Sequence, residues 1–147
     1  VFGFFQDVAN LDAITPPTVR FQTLTPGPIE MKAGAIIDHK LWIHHIPIRW
    51  RTEITAWEPP RRFVDEQRRG PYRLWIHEHT FDEENGGAGR RDRVQSRAPG
   101  WICEPIIHRL LVAPDVRGIF TFRHGRIREL LAPGSAATLD HVDIDGQ

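Results

Sequence analysis

The chain has 147 residues, 19 basic and 19 acidic side chains, and one cysteine, Cys103. That length suffices for a single domain with a real core, and the balanced charge supplies no general field for nucleic acid or an anionic membrane. One cysteine excludes an internal disulfide and fits a reducing cytoplasm, no apolar run reaches the ~20 residues of a membrane helix, and the N-terminus lacks the basic region of a signal peptide.

The composition therefore points to a cytoplasmic protein with no membrane span and no nucleic-acid partner. All basic residues except Lys32 and Lys40 are arginines, which suits cross-strand pairing with carboxylates on a solvated sheet face.

Val1 to Ile14 carries Val1, Phe4, Phe5, Val8 and Leu11 near a helical period, and Asn10 is expected to divide it into two short helices. Thr15-Pro16-Pro17 ends the second, because proline lacks a donor and turns the preceding residue away from the helical region. Arg20 to Thr25 reads as a short strand and Pro26-Gly27-Pro28 as a turn. Five more strands are expected at Ala35 to His44, Ile48 to Trp57, Arg62 to Arg69, Tyr72 to Asp82 and Gly89 to Ala98. Connections as brief as His45-Ile46-Pro47 or Gly70-Pro71 join antiparallel neighbours, since a parallel crossover needs a dozen residues or more.

Cys103 to Leu131 reads as one long amphipathic helix. Ile106, Ile107, Leu110, Leu111, Val116, Ile119, Phe120, Ile127 and Leu130 form its apolar stripe, while Arg109, Arg117, Arg123, Arg126 and Arg128 lie mostly off it. Pro114 is expected to kink or split this helix near Ala113. Residues 133–147 are small and acidic and read as a loosely ordered tail.

Strand side chains alternate between two faces. One set collects charges: Asp38 and Lys40, then Arg49, Arg51 and Glu53, then Glu66, Arg68 and Glu78, then Arg91, Arg93 and Arg97. The other is aromatic and aliphatic and makes the better inner face. It includes Trp50, Phe63, Trp75 and Phe81, but also His39, Asp65, Gln67, His77, His79 and Asp92. Val64, Leu74 and Ile76 fall on the outer side, and so does Trp57.

Polar groups on an inner face either satisfy one another or meet the polar end of a ligand. His77 and His79, two apart on a strand, point the same way, which is a legitimate start to a metal site. A third and fourth ligand could come from Asp65, Asp92 or His39, but nothing in the spacing is a known ligand signature, so the expectation is no metal and no cofactor. Cys103 reads as a packing residue, and Gly86-Gly87-Ala88-Gly89 as a hairpin turn, since a strand follows it.

The opening Val1-Phe2-Gly3-Phe4-Phe5-Gln6-Asp7-Val8-Ala9-Asn10-Leu11, with Ile14-Thr15-Pro16-Pro17, resembles the start of many bacterial START-like (SRPBCC, polyketide cyclase/dehydrase-like) proteins. Trp50-Arg51-Thr52-Glu53-Ile54, Phe63-Val64-Asp65-Glu66-Gln67 and Gly70-Pro71-Tyr72 strengthen the likeness. So do Trp75, His77, His79, Thr80 and Phe81, then Asp92-Arg93-Val94 and Ile119-Phe120 with Phe122-Arg123. The resemblance implies an α+β helix-grip fold over residues 1–132, in which a curved antiparallel sheet wraps a long C-terminal helix. Six strands are visible here against seven in the family. The family's first strand has no counterpart, and upstream residues, the tail or a partner chain in a homodimer are expected to fill its place.

The resemblance further implies binding of a hydrophobic small molecule, a lipid, polyketide or aromatic-like compound, between sheet and helix. The expected lining is Trp50, Phe63, Asp65, Gln67, Trp75, His77, His79, Phe81, Asp92, Leu110 and Phe120. The rival reading is a cyclase- or dehydratase-type enzyme with His77 or His79 as general base, oriented by Asp65 or Asp92.

Overall fold

The computed structural model describes residues 2–43, 45–84, 87–97, 113–131 and 142–145. Two single-turn helices, α1 (Phe2–Phe5) and α2 (Asn10–Ala13), open the chain. The break falls at residues 6–9, ahead of Asn10. Asp7 accepts the Ala9 N–H at 2.9 Å, and the Asn10 amide donates to the Phe4 carbonyl at 2.9 Å, so two short polar side chains satisfy the interrupted backbone. Thr15 donates its hydroxyl to the Leu11 carbonyl at 2.7 Å, and the two prolines lead into a tight turn at Pro17–Val19.

Six antiparallel strands follow in sequence order: β1 (Phe21–Thr23), β2 (Ile36–Ile43), β3 (Ile46–Glu58), β4 (Arg62–Arg69), β5 (Leu74–Glu84) and β6 (Gly87–Arg97). Each pairs with its predecessor, as the brief connections require. Together with α3 (Ala113–Leu131) they form an α+β fold with a curved sheet.

The outer face carries the expected charge pairs. Arg51 grips Asp38 through two bonds of 2.8 and 2.9 Å, and Arg68 reaches Glu53 at 2.6 Å and Glu66 at 3.0 Å. These pairs are solvated, so each contributes little to stability.

Three features depart from strict alternation or from the expected layout. The β3–β4 register shifts between Ile54 and Ala56, so that Trp57 pairs with Phe63 and turns to the inner face. There Trp57 packs on a cluster of Phe2, Phe63 and Phe81, with ring centroids 5.3 Å from Phe2 and 5.6 Å from Phe63. Val64 is buried although it faces away from Phe63.

Four residues of the tail, Val142–Asp145, form a seventh strand, β7. It pairs in parallel with Asp92–Gln95 of β6, so part of the tail belongs to the sheet.

Pro114 is the second described residue of α3. Residues 103–112 of the expected long helix, Leu110 among them, lie outside the described residues. Along α3, Phe120 and Ile127 are buried, Arg123 and His124 are half-buried on the same stripe, and Arg117, Thr121 and Arg128 face outward. Phe120 meets His77 edge-on, centroids 5.2 Å apart, and this contact seats the helix over the concave sheet face.

Candidate functional site

Strand register assembles the polar cluster. Asp65 lies opposite His77, and His79 opposite Asp92, while alternation carries Asp65, His77, His79, Arg90 and Asp92 to one face. His79 is held at both nitrogens: Nε2 is 2.9 Å from Asp65 Oδ2, and Nδ1 is 2.8 Å from Asp92 Oδ1. His77 spans the same two carboxylates at longer range, with Nδ1 3.6 Å from Asp65 Oδ2 and Nε2 3.2 Å from Asp92 Oδ1. The two imidazoles lie with centroids 3.7 Å apart, and Phe63 stacks on His79 at 4.1 Å. Arg90 donates to Asp92 Oδ1 at 2.6 Å, and His124 of α3 approaches Asp92 Oδ2 at 3.9 Å.

Burial dominates the electrostatics. It pushes His77 down to about 4, with the neighbouring His79 acting in the same direction against the pull of Asp65 and Asp92. Burial would by itself raise Asp92, but the Arg90 guanidinium and the neighbouring His124, His77 and His79 hold that carboxyl well below the usual range. Asp65 is likewise lowered, its burial outweighed by His77 and His79. Arg123 falls to about 10, first through burial and then through Arg90. Its Nε is buried with no acceptor among the described residues.

Next to this cluster lies a cavity of about 190 Å³. Trp50, Phe63, Asp65, Trp75, His77, His79 and Phe120 line it, as the sequence leads one to expect.

The remaining candidates sit elsewhere. Gln67 instead closes the turn after β4, donating to the Tyr72 carbonyl at 2.6 Å and accepting the Tyr72 N–H at 3.3 Å. Phe81 lies in the apolar cluster, 5.1 Å from Phe2. Asp92 stands one layer behind the cavity wall, bonded to the two histidines that line it. At the far end Trp50 meets Tyr72 and Trp75 edge to face, and Tyr72 tilts against Trp75, with centroids 4.8–5.6 Å apart.

Sequence reasoning misses three groups of lining residues. The N-terminal segment contributes Phe5, Leu11 and Ile14, β6 adds Arg90, and α3 adds Arg123, while His39 of β2, on the inner face by alternation, also joins the wall. Arg90 is recoverable, since it is two residues before Asp92 and must share its face. Arg123 reads as part of the solvated side of the helix, yet it is within one turn of Phe120 and faces the cavity with it. No sequence signal places Phe5 or Ile14 there, because only the closed fold brings α1 and α2 onto the sheet.

No family model and no curated protein matches this chain. Among solved structures it is similar to protein Ms6760 from Mycobacterium smegmatis, with a TM-score of 0.59 at 17% identity over 88% of this chain and 80% of that one. It is also similar to TTHA0849 from Thermus thermophilus, with a TM-score of 0.61 at 14% identity over 87% of each chain. At these identities the likeness is one of fold. No described helix is long and apolar enough to cross a membrane.

Proposed function

We propose that this chain is a START-like, helix-grip protein that binds a hydrophobic small molecule between its sheet and α3, as a carrier or sensor. The observation behind this reading is the cavity: aromatic at one end, with an ordered cluster of ionisable groups at the other. The described residues bound about 190 Å³ of open-sided space. An apolar cavity of about 150 Å³ accepts benzene, so this part of the pocket accommodates one or two fused rings. Its aromatic lining suits an aromatic or polyketide-like compound.

Trp50 and Trp75 line the cavity and report on its contents. Titration with small phenolic and polyketide-like aromatics is expected to change tryptophan fluorescence saturably, with bulky steroids and fatty acids giving weaker responses. Flat titrations with every class would sink the binding proposal.

A second reading, a cyclase- or dehydratase-type enzyme, is favoured by one specific arrangement. His77 and His79 face the cavity with Asp65 and Asp92 bonded to them. Burial keeps His77 neutral at pH 7, so its ring retains a lone pair for removing a proton next to a carbonyl. Proton–deuterium exchange at the α-carbon of bound β-carbonyl aromatics, followed by NMR, tests it. Exchange that disappears in His77→Gln supports the enzyme. Binding without any exchange leaves the carrier.

A further inference from the structure

We propose that Asp65, His77 and His79 form a binding site for a divalent first-row transition metal, with its open coordination position facing the cavity. The proposal does not depend on the identity of any organic ligand. It starts from a count of protons. Each imidazole has one nitrogen near Asp65 Oδ2 and the other near Asp92 Oδ1: His79 at 2.9 and 2.8 Å, His77 at 3.6 and 3.2 Å. A neutral imidazole carries a single N–H. Two neutral rings therefore supply two protons for four nitrogen–carboxylate contacts. On the Asp92 side the Arg90 guanidinium, 2.6 Å from Oδ1 and 3.3 Å from His79 Nδ1, already supplies positive charge. On the Asp65 side His77 Nδ1, at 3.6 Å, is too far from Oδ2 for a hydrogen bond, which leaves a place for a metal ion between them.

The side on which it belongs follows from access. Asp92 is 2% exposed, does not line the cavity, and already receives the Arg90 guanidinium at 2.6 Å. Placing both ring protons toward Asp92 Oδ1, with Arg90 donating to that oxygen and not to His79 Nδ1 3.3 Å away, completes that side. It leaves His77 Nδ1, His79 Nε2 and Asp65 Oδ2 as three convergent lone-pair donors on residues that do line the cavity.

One ligand atom from each of these three residues lies within 4.8 Å of the other two. Zinc bound to nitrogen at about 2.0–2.1 Å in a tetrahedral site separates its ligands by about 3.3 Å, and the two measured contacts to Asp65, 2.9 and 3.6 Å, bracket that separation. Two imidazoles and one carboxylate suit zinc, iron(II) or cobalt(II) better than magnesium or calcium.

Asp92 plays the outer-shell role, since a metal-bound histidine donates its other ring N–H to a carboxylate that fixes its tautomer and tilt. Here one carboxylate serves both rings. Arg123 lines the same cavity and interacts electrostatically with Asp65. A divalent ion beside that guanidinium selects an anionic oxygen as its fourth ligand, a hydroxide or a carboxylate or enolate of a bound molecule. The competing arrangement is metal-free, with His79 donating its Nε2–H to Asp65 and accepting the Arg90 guanidinium at Nδ1.

Chelator-treated protein, titrated with zinc or cobalt against a chromophoric competitor, distinguishes them. Stoichiometric binding is expected, with a tetrahedral cobalt spectrum and a zinc-dependent rise in melting temperature. Asp65→Asn and His79→Gln should abolish it, and Asp92→Asn should weaken it about ten- to a hundredfold. His45→Gln, on an exposed turn residue, should leave it unchanged. If a variant fails to fold by circular dichroism, nitrogen-15 shifts of His77 and His79 in the wild type decide, with and without zinc. Substoichiometric uptake, affinity unaffected by Asp65→Asn, or a His79 Nε2 that keeps its proton in saturating zinc would each overturn the proposal.

Discussion

His39 on β2 is 5% exposed, with Phe21 at 4.7 Å between ring centroids and the Thr23 hydroxyl at 3.4 Å from Nδ1. Burial lowers its pKa from 6.5 to about 4. Asp65 on β4 and Asp38 on β2 pull it the other way, and Arg123 on α3 pushes it further down. A histidine kept neutral by the fold takes up its proton first in the unfolded chain. Stability is therefore complete above about pH 6.5 and declines as the pH falls towards 4. The loss from this residue is on the order of 3 kcal/mol. Urea melts of metal-free protein at pH 7, 5.5 and 4.5 should show it, with a shallower slope in His39→Gln. The slope should not vanish, because His77 titrates in the same window.

A second residue-scale prediction concerns the turn after β4. A Cβ built on Gly70 would lie 2.3 Å from the Gln67 Oε1 that accepts the Tyr72 N–H. Gly70→Ala should break that bond and cost about 1–2 kcal/mol. Gln67→Ala should cost about the same, since the Tyr72 backbone loses its partner. The double variant should cost less than the sum, because both changes remove one interaction. Additive losses in melts of the three variants would mean that Gln67 does not hold the turn.

At the scale of elements, the β3–β4 irregularity has a measurable consequence. Strict alternation along β3 puts Trp50 inside and Trp57 outside. The register shift between Ile54 and Ala56 puts both inside. Trp57 packs against Phe2 and Phe63, while Trp50 borders a cavity and has only Tyr72 and Trp75 as ring neighbours among the described residues. Trp57→Ala should therefore cost on the order of 3 kcal/mol, no less than Trp50→Ala. Trp50→Ala should instead reduce the fluorescence response to cavity ligands. A near-neutral Trp57→Ala would restore the simple alternating strand.

Helix α3 differs from its sequence pattern at Arg123, because a stripe of apolar residues does not exclude charge. A cavity wall need not be apolar throughout. On the stripe defined by Phe120 and Ile127, Arg123 and His124 face the polar part of the sheet and not its aromatic ends.

For the whole molecule, β7 is the element with the most to test. An open strand edge invites pairing with another chain, and four tail residues cover the β6 edge along Asp92–Gln95, behind the polar cluster. Removing residues 142–147 should speed amide exchange across Asp92–Gln95 and lower stability by about 1–2 kcal/mol. It should also make soluble yield fall with concentration. Unchanged exchange in the truncated chain would show that the parallel pairing contributes nothing.

The order of elements, the antiparallel pairing and the inward set of Asp65, His77, His79 and Asp92 were determined by the sequence alone. Strand alternation and short connections are local properties, and a few neighbouring residues suffice to specify them. Three things were decided only by the tertiary structure: the flip of Trp57, the entry of Phe5, Ile14 and Arg123 into the cavity wall, and the docking of the tail on β6. Each depends on contacts between segments far apart in the chain, and their free energies are settled by packing and burial in three dimensions, not by the period of any one strand. The same holds for the histidine–aspartate cluster. Alternation brings its members to one face, but only the register between strands sets the distances on which their chemistry depends.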